Sequence, residues 1–103
     1  MPCIFCEIIN KEKPTEIIHE NDNFIVIKDI KPSAPVHLLV IPKKHIDSVA
    51  HLTPKDEGLM GEMILTAQKV AQEKNLNSYR LRINTGKGAG QIVDHLHMHI
   101  FSW

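Results

Sequence analysis

The 103-residue sequence has no excess of charge of either sign, since twelve basic and twelve acidic side chains cancel. It also lacks a run of like charges, so nothing in it favours a polyanionic partner such as nucleic acid or an anionic membrane surface. Its apolar stretches, such as 24–27 and 36–41, are interrupted within a few residues. A membrane-spanning helix needs roughly 20 apolar residues, so no transmembrane segment is expected.

The N-terminal segment 1–4 has no basic region followed by an apolar region, so no export signal is expected. The default compartment is therefore the reducing cytoplasm, where Cys3 and Cys6, the only cysteines, are expected as thiols or metal ligands. Repeats, linkers and low-complexity segments are also absent. The length suits one hydrophobic core and is too short for two, which predicts a single domain over 1–103.

Hydrophobic periodicity and turn residues predict the secondary structure. A long amphipathic helix of about five turns begins at Thr53 and Pro54, which suit the N-cap and the first helical position. The other predicted elements are a short helix over 3–9 and strands over 17–20, 24–28, 37–41, 79–84 and 93–101. Strands joined by short turns, with one long helix over a face, predict an α+β domain with an antiparallel sheet of about five strands.

Seven histidines are the compositional outlier, and three of them alternate with apolar residues in the last predicted strand. On a strand, His95, His97 and His99 project to one face about 7 Å apart, while the intervening apolar residues project to the other. We therefore expect the apolar set to pack and the histidines to face outward together as a functional cluster. The alternatives are that the strand face is merely polar and that the three histidines chelate a metal.

The segment 86–90, Gly-Lys-Gly-Ala-Gly, precedes the histidine strand. Such a run allows backbone amides to approach and cradle phosphate oxygens. It is not a P-loop, because no Lys-Ser or Lys-Thr follows, and not a dinucleotide fingerprint, because a strand follows it. A flexible hairpin loop is the alternative, so the segment indicates a phosphate site only together with the nearby histidines.

Four ordered motifs carry a resemblance to a known family. Segment 95–101 has the pattern His-φ-His-φ-His-φ-φ, where φ is apolar, and segments 3–9, 29–37 and 39–46 extend the match over nearly the whole chain. The sequence resembles the histidine triad (HIT) superfamily, and within it the Hint-like branch of nucleoside phosphoramidases. The resemblance implies a homodimer whose two sheets join into a continuous sheet, each subunit binding a purine, AMP-like nucleotide.

The resemblance also implies roles for individual residues. His97 would attack the α-phosphorus and form a nucleotidyl-imidazole that water hydrolyses, while a backbone carbonyl holds its other ring nitrogen. His99 would bond phosphate oxygens, and His95 completes the triad. The expected nucleotide-binding residues, besides His97 and His99, are Phe5, Ile8, Ile27 and Ile30 around the base, Asp29 at the ribose, and Asn84, Gly90 and Gln91 at the phosphate. Two alternatives stay open: hydrolysis of dinucleoside polyphosphates, and a nucleotide-binding scaffold with little catalysis.

Cys3 and Cys6 are spaced so that both thiolates can meet one metal ion from a single helical turn. A redox role for Cys-x-x-Cys would need a thioredoxin-like βαβ context, which the sequence lacks. Zinc favours four ligands, and the resemblance implies His45 and His95 as the other two. We therefore expect a structural zinc and no catalytic cofactor, the alternative being two reduced, buried cysteines.

The sequence departs from the Hint-like pattern at two places. Ile92 stands where these enzymes often carry a serine whose hydroxyl assists the leaving group, so that proton route is in question. Ser102 and Trp103 stand where the family strand usually runs into Gly-Gly. Of the remaining histidines, His37 either supports the active strand or is an ordinary strand residue, and His19 and His51 are expected on the solvated surface.

Overall fold

A computed structural model describes residues 3–103, so Met1 and Pro2, where part of the export-signal prediction falls, lie outside the described residues. The strands are β1 (Ile17–Glu20), β2 (Phe24–Lys28), β3 (Val36–Pro42), β4 (Arg80–Arg82) and β5 (Met98–Ser102), and the α-helices are α1 (Ile4–Ile9) and α2 (Glu57–Glu73). The strands pair antiparallel in the order β1-β2-β3-β5-β4. The predicted α+β class, with a five-stranded sheet, one long helix and one short helix, is confirmed.

Each face of the sheet packs against a different helix, which explains why β2 and β3 are apolar at consecutive positions. Residues of α2 lie over one face, in a cluster that includes Val26, Val40, Met63, Val70, Leu96, Met98 and Ile100. The other face packs against α1, in a cluster of Phe5, Ile8, Ile25, Ile27, Leu39 and Ile41. Among the described residues, no helix combines the length and the hydrophobicity that crossing a bilayer requires.

The long helix begins as the sequence indicates, with a difference in its first turn. Thr53 is the N-cap and Pro54 follows it, but Pro54–Asp56 forms a 3-10 turn before the α-helix begins at Glu57. The Asp56 carboxylate accepts the backbone N–H of Thr53 at 3.0 Å, which completes a capping interaction.

Two strand predictions were too long. β4 covers Arg80–Arg82 rather than 79–84, and β5 begins at Met98 rather than at residue 93. Before β5 the backbone leaves the ladder, and the N–H of Leu96 donates to the carbonyl of Ile46, in a loop, at 2.7 Å. The side chains nevertheless keep alternating, since Leu96 packs in the α2 cluster while the flanking histidines lie on the α1 side.

Candidate active site and metal centre

The three triad histidines share one face, but that face is covered. His95 is 0% exposed, His97 7% and His99 8%. The Phe5 ring of α1 packs edge-on against His95 and His97, with ring centroids 5.8 and 5.1 Å away. The expectation of an outward-facing cluster is therefore wrong, because a helix folds over it, and burial lowers the pKa of all three rings below the ordinary 6.5.

The backbone holds His97 in one orientation. Its Nδ1 lies 2.7 Å from the carbonyl oxygen of His95, so Nδ1 carries the proton and donates it to that oxygen. In this neutral tautomer the lone pair is on Nε2, the form that a nucleophilic imidazole needs. Burial lowers the pKa of His97 and so keeps this lone pair free near neutral pH.

A chain of hydrogen bonds assigns the protons of His37 and His99. The N–H of Ser33 donates to His37 Nδ1 at 3.0 Å, so the proton of His37 is on Nε2. That Nε2 lies 2.9 Å from His99 Nδ1 and 3.4 Å from Asp29 Oδ2. His99 Nδ1 is therefore an acceptor, and the proton of His99 is on Nε2. His37 thus lies beside His99 and sets the tautomer of that ring.

The Nε2–H of His99 is buried and has no hydrogen-bond partner among the described residues. An unsatisfied buried donor costs about 1–3 kcal/mol, so this group is poised to bond an acceptor atom of a ligand, such as a phosphate oxygen. Burial, and then the neighbouring His97 and His37, lower the pKa of His99 to about 4. The ring therefore stays neutral and acts as a donor through Nε2 only.

The apolar residues expected around a base fall into two groups. Phe5, Ile8 and Ile27 are buried in one cluster, and the Phe5 ring reaches His97. Ile30, by contrast, is 92% exposed on the loop after β2 and lies outside this cluster. The structure therefore brings three of the four residues to one wall beside the triad.

Asp29 and Asn84, expected at the ribose and the phosphate, are both half-buried. Asp29 accepts the backbone N–H of Lys31 at 2.8 Å with Oδ1 and turns Oδ2 towards His37. Asn84 Nδ2 donates to the carbonyl of Gly90 at 3.4 Å. Both side chains keep capacity for further hydrogen bonds with a ligand.

The glycine loop bonds to itself rather than leaving its amides open. The N–H groups of Gly90 and Gln91 donate to the carbonyls of Lys87 and Gly86 at 3.0 and 3.1 Å. The buried Gln91 side chain accepts the Gly86 N–H at 2.8 Å and donates to the Asp47 carbonyl at 2.7 Å. The expectation that these two amides cradle a phosphate is therefore not met, because both N–H groups donate to carbonyls within the loop.

The four residues expected to hold zinc form one cluster at the start of α1. Cys3 is the N-cap of this helix and Cys6 lies in its first turn. Cys3 Sγ is 3.3 Å from His95 Nδ1, and Cys6 Sγ is 3.2 Å from His45 Nδ1. All four ligand atoms lie within 4.8 Å of one another.

Hydrogen bonds at Nε2 of His95 and His45 leave Nδ1 of each ring facing the sulfurs. His95 Nε2 donates to the Pro42 carbonyl at 2.8 Å, and His45 Nε2 donates to Asp47 Oδ1 at 2.7 Å. Both Nδ1 lone pairs are thereby left for a metal. Two sulfurs and two imidazole nitrogens in this arrangement fit the tetrahedral preference of zinc. Burial, reinforced by the neighbouring sulfur, raises the pKa of Cys6 to about 11, so metal binding displaces a proton.

The last two histidines differ from each other. His51 is exposed, as expected. His19 is half-buried, with its Nδ1 3.5 Å from the Glu73 carboxylate at the end of α2. The expectation that His19 lies on the solvated surface is therefore wrong, because β1 lies against the end of the long helix.

Comparisons with known proteins identify the family of the chain. The family model described as "Scavenger mRNA decapping enzyme C-term binding" matches residues 2–103. The protein HitA of Neisseria gonorrhoeae is 48% identical over 99 residues, covering 95% of this chain and 92% of the relative. The crystal structure of a HIT family hydrolase from Legionella pneumophila Philadelphia 1 has a TM-score of 0.95 at 39% identity, covering 98% of this chain and 92% of that one. A histidine triad protein from Clostridium difficile also has a TM-score of 0.95, at 38% identity, covering 100% and 91%. The chain therefore belongs to the histidine triad (HIT) family and has the fold of HIT family hydrolases.

Proposed function

We propose that the protein is a Hint-like nucleotide hydrolase that acts at the α-phosphate of purine nucleoside phosphoramidates or related nucleotides. The observation that carries the proposal is the oriented His97, which is buried and neutral, with Nδ1–H held by a carbonyl and Nε2 free. The unpartnered Nε2–H of His99 supplies a donor for a phosphate oxygen. The apolar wall of Phe5, Ile8 and Ile27 suits a purine base.

The reaction proceeds in two displacements at phosphorus. In the first, the Nε2 lone pair of His97 forms a bond to the α-phosphorus, and the bond to the leaving nitrogen breaks with its electron pair going to that nitrogen. The leaving amine takes its proton from solvent, since Ile92 has no hydroxyl to give one.

In the second displacement, water attacks the phosphorus and the bond to His97 Nε2 breaks, which restores the lone pair and releases the nucleoside monophosphate. The proton that water loses returns to solvent and balances the proton that the leaving amine took from solvent in the first step. His99 Nε2–H bonds the phosphate oxygens in both steps and stabilises the developing charge. Catalysis in this scheme needs no cofactor.

The covalent intermediate is the feature to test. Wild-type protein is mixed with adenosine 5′-phosphoramidate, quenched within the first turnover and analysed by intact-mass and peptide mass spectrometry. We expect an added nucleotidyl group on the His97 peptide, also present in the exposed control His51→Asn and absent in His97→Asn. Turnover by His97→Asn at the wild-type rate would refute the assignment.

Substrate comparison separates the proposal from its alternatives. Faster cleavage of a dinucleoside polyphosphate than of the phosphoramidate would identify the first alternative, a polyphosphate hydrolase. Tight AMP binding with turnover of neither compound would identify a nucleotide-binding scaffold.

We further propose that Cys3, Cys6, His45 and His95 hold a structural zinc, which ties α1 to the triad segment. The convergence of two sulfurs and two Nδ1 atoms within 4.8 Å supports this. Metal analysis of the purified protein should find one zinc per chain, lost in Cys6→Ser and retained in His97→Ala. Zinc loss in His97→Ala with retention in Cys6→Ser would instead favour chelation by the triad.

We also propose a homodimer joined along β4. This edge strand is exposed along its three residues, and Leu81 within it, like Ile64 and Leu65 of α2, is a large exposed apolar residue. A second copy paired at this edge would continue the sheet and cover these side chains. Light scattering should give a dimer mass that Leu65→Lys reduces to a monomer. We also propose a cytoplasmic location, because two cysteines that bind a metal must stay reduced.

A further inference from the structure

The cysteine cluster at the start of α1 lies at the wall of a cavity of about 1010 Å³. Cys3, Cys6 and His45 line this cavity, whereas His95 is fully buried behind them. The lining also includes Ile92, which is 92% exposed, so the cavity is open to solvent. Both cysteines are free and half-buried. A small molecule in solvent can therefore reach the two sulfur atoms.

The proposed dimer leaves this cavity uncovered. The helix α1 packs on the sheet through residues of β2 and β3, and β5 lies between these strands and β4. The proposed contact with a second copy uses the edge of β4 and exposed residues of α2, which covers the opposite face of the sheet. The two sulfur atoms are thus accessible in one chain and in the dimer alike.

The cavity in front of the sulfurs is acidic. Its lining has four carboxylates and, among the described residues, neither lysine nor arginine. The carboxylates are those of Glu7, Glu12, Asp47 and Asp94. A concave surface lined by charge of one sign repels reagents of the same sign. An uncharged reagent therefore reaches the sulfurs more readily than an anion does.

The two sulfurs lie close to each other at the first turn of α1. Cys3 Sγ accepts the backbone N–H of Cys6 at 3.3 Å, and the two Sγ atoms lie 3.3 and 3.7 Å from the same atom, Nδ1 of His95. All the sulfur and nitrogen atoms of the cluster lie within 4.8 Å of one another. Rotation of two side chains on one turn is enough to join the sulfurs in a disulfide.

A metal and a disulfide would connect different parts of the chain. The contacts of the cluster join residues 92 and 39 positions apart, Cys3 with His95 and Cys6 with His45. A disulfide would join residues three positions apart. A cross-link stabilises the fold more when it closes a longer loop. The metal-bound cluster therefore holds α1 against the rest of the site, and a disulfide within α1 does not.

We propose that Cys3 and Cys6 form an oxidation site, at which a neutral peroxide converts the metal-bound pair into an intrachain disulfide and the metal is expelled. The inference rests on the proposed zinc site. The disulfide leaves only two nitrogen ligands, His45 and His95, for an ion that favours four. The pair is itself oxidised and does not exchange disulfides with other proteins, a role for which the thioredoxin-like context is absent.

The oxidation by hydrogen peroxide takes two steps. The Cys6 thiolate, beside the exposed His45, attacks one peroxide oxygen, so that an S–O bond forms, the O–O bond breaks and hydroxide leaves. The Cys3 thiolate then attacks the Cys6 sulfur, so that the S–S bond forms and a second hydroxide leaves. The two thiolates together lose two electrons, and the peroxide is reduced to two hydroxide ions.

The consequence reaches the triad through α1. Phe5 lies between the two cysteines in the chain, and its ring packs on His95 and His97. Oxidation removes the links that hold this helix in place, so the cover over the triad loosens. We therefore expect the oxidised protein to be less stable and to bind AMP more weakly.

The test treats the zinc-loaded, reductant-free chain with hydrogen peroxide. A chromogenic chelator follows the metal, and intact-mass and peptide mass spectrometry record the disulfide as a loss of two hydrogens. We expect one zinc to be released for each disulfide, on the same time course, and both changes to be reversed by a dithiol with added zinc. The thermal midpoint should fall by several degrees on oxidation, and AMP binding should weaken by about fivefold or more.

The charge of the cavity gives a second test. Glu12→Gln, which removes one carboxylate of the lining, should raise the rate of oxidation by the anionic glutathione disulfide about twofold at low ionic strength and leave the rate with peroxide unchanged. The matched control is Glu57→Gln on the exposed surface of α2, which should match wild type with both oxidants. An equal rate with glutathione disulfide in Glu12→Gln and wild type would overturn the choice of a neutral oxidant.

Three results would overturn the oxidation site itself. They are zinc release without a disulfide, a disulfide between two chains, and unchanged thiols under conditions that oxidise free cysteine. His97→Ala should release zinc at the wild-type rate, because the nucleophile is not a ligand. A chain that binds no zinc would refute the zinc site, whereas a zinc-bound chain that peroxide leaves unchanged would refute the oxidation site alone.

Discussion

The low pKa of His99 links the candidate site to the stability of the fold in acid. Burial, with His97 and His37 nearby, lowers this pKa from 6.5 to about 4. Because each unit corresponds to about 1.4 kcal/mol, the folded protein resists protonation of His99 by about 3 kcal/mol. The unfolded chain takes up the proton first, so the contribution of His99 to stability is full above pH 6.5, falls as the pH drops, and is lost near pH 4.

The assay compares urea unfolding of wild type and His99→Gln at about pH 7 and about pH 4.5. The wild-type free energy of unfolding should fall between these values by about 2–3 kcal/mol more than that of His99→Gln, which lacks the titrating ring. Carboxylates with a lowered pKa do not affect the comparison. Glu20, whose pKa Lys11 and Lys43 lower to about 2, is present in both proteins and contributes equally to the pH dependence of each.

Two results would refute the reasoning. One is an NMR titration in which the His99 ring protonates near pH 6.5, as an exposed histidine does. The other is a pH dependence of stability that is the same in His99→Gln as in wild type. The exposed His51→Gln is the matched control and should retain the wild-type dependence.

Three further predictions concern the surroundings of the site. A chelator should lower the thermal midpoint of wild type by several degrees in calorimetry, because an intact cluster anchors α1, but should leave Cys6→Ser unchanged; equal shifts would argue against a structural metal. Gln91→Ala removes the side-chain hydrogen bonds to Gly86, Asp47 and Val93, and should cost about 1–3 kcal/mol in urea unfolding. The exposed Gln68→Ala is its control, and equal stability of the two variants would show that the Gln91 side-chain hydrogen bonds do not stabilise the fold. Met98→Ala should cost about 2–5 kcal/mol, because it opens a cavity under α2, and a loss below about 1 kcal/mol would mean that the core repacks.

Local periodicity accounts for most of the fold that the sequence predicts. The apolar spacing between Leu59 and Ala71 identifies α2, because a helix that packs on a sheet must present one apolar stripe. The start of β5 is different, since the bond that draws Leu96 out of the ladder comes from the Ile46 carbonyl, which is distant in sequence. A pattern read along one segment carries no information about such a partner.

The candidate site shows the same division between local pattern and distant contact. The shared face of the three histidines follows from alternation alone. Their burial depends on the Phe5 ring of α1, and the tautomer of His99 depends on Ser33 acting through His37. The signal for His37 was its resemblance to a family position near the active strand, and the sequence left open whether it supports that strand or is an ordinary strand residue.

His95 is the residue through which the metal centre and the proposed nucleophile meet. Its Nδ1 faces the two cysteine sulfurs, its Nε2 donates to the Pro42 carbonyl, and its own carbonyl accepts the Nδ1–H of His97. It lies before β5, where the Leu96 N–H of the same peptide unit donates to the Ile46 carbonyl at 2.7 Å, and the ring contacts and packing against Phe5 add to this backbone bond. The ring of His97 is therefore oriented by a peptide unit whose side chain belongs to the cysteine cluster. In the proposed mechanism, a metal bound to this cluster would help to hold the carbonyl that keeps the attacking nitrogen unprotonated, and would take no part in the chemistry at phosphorus.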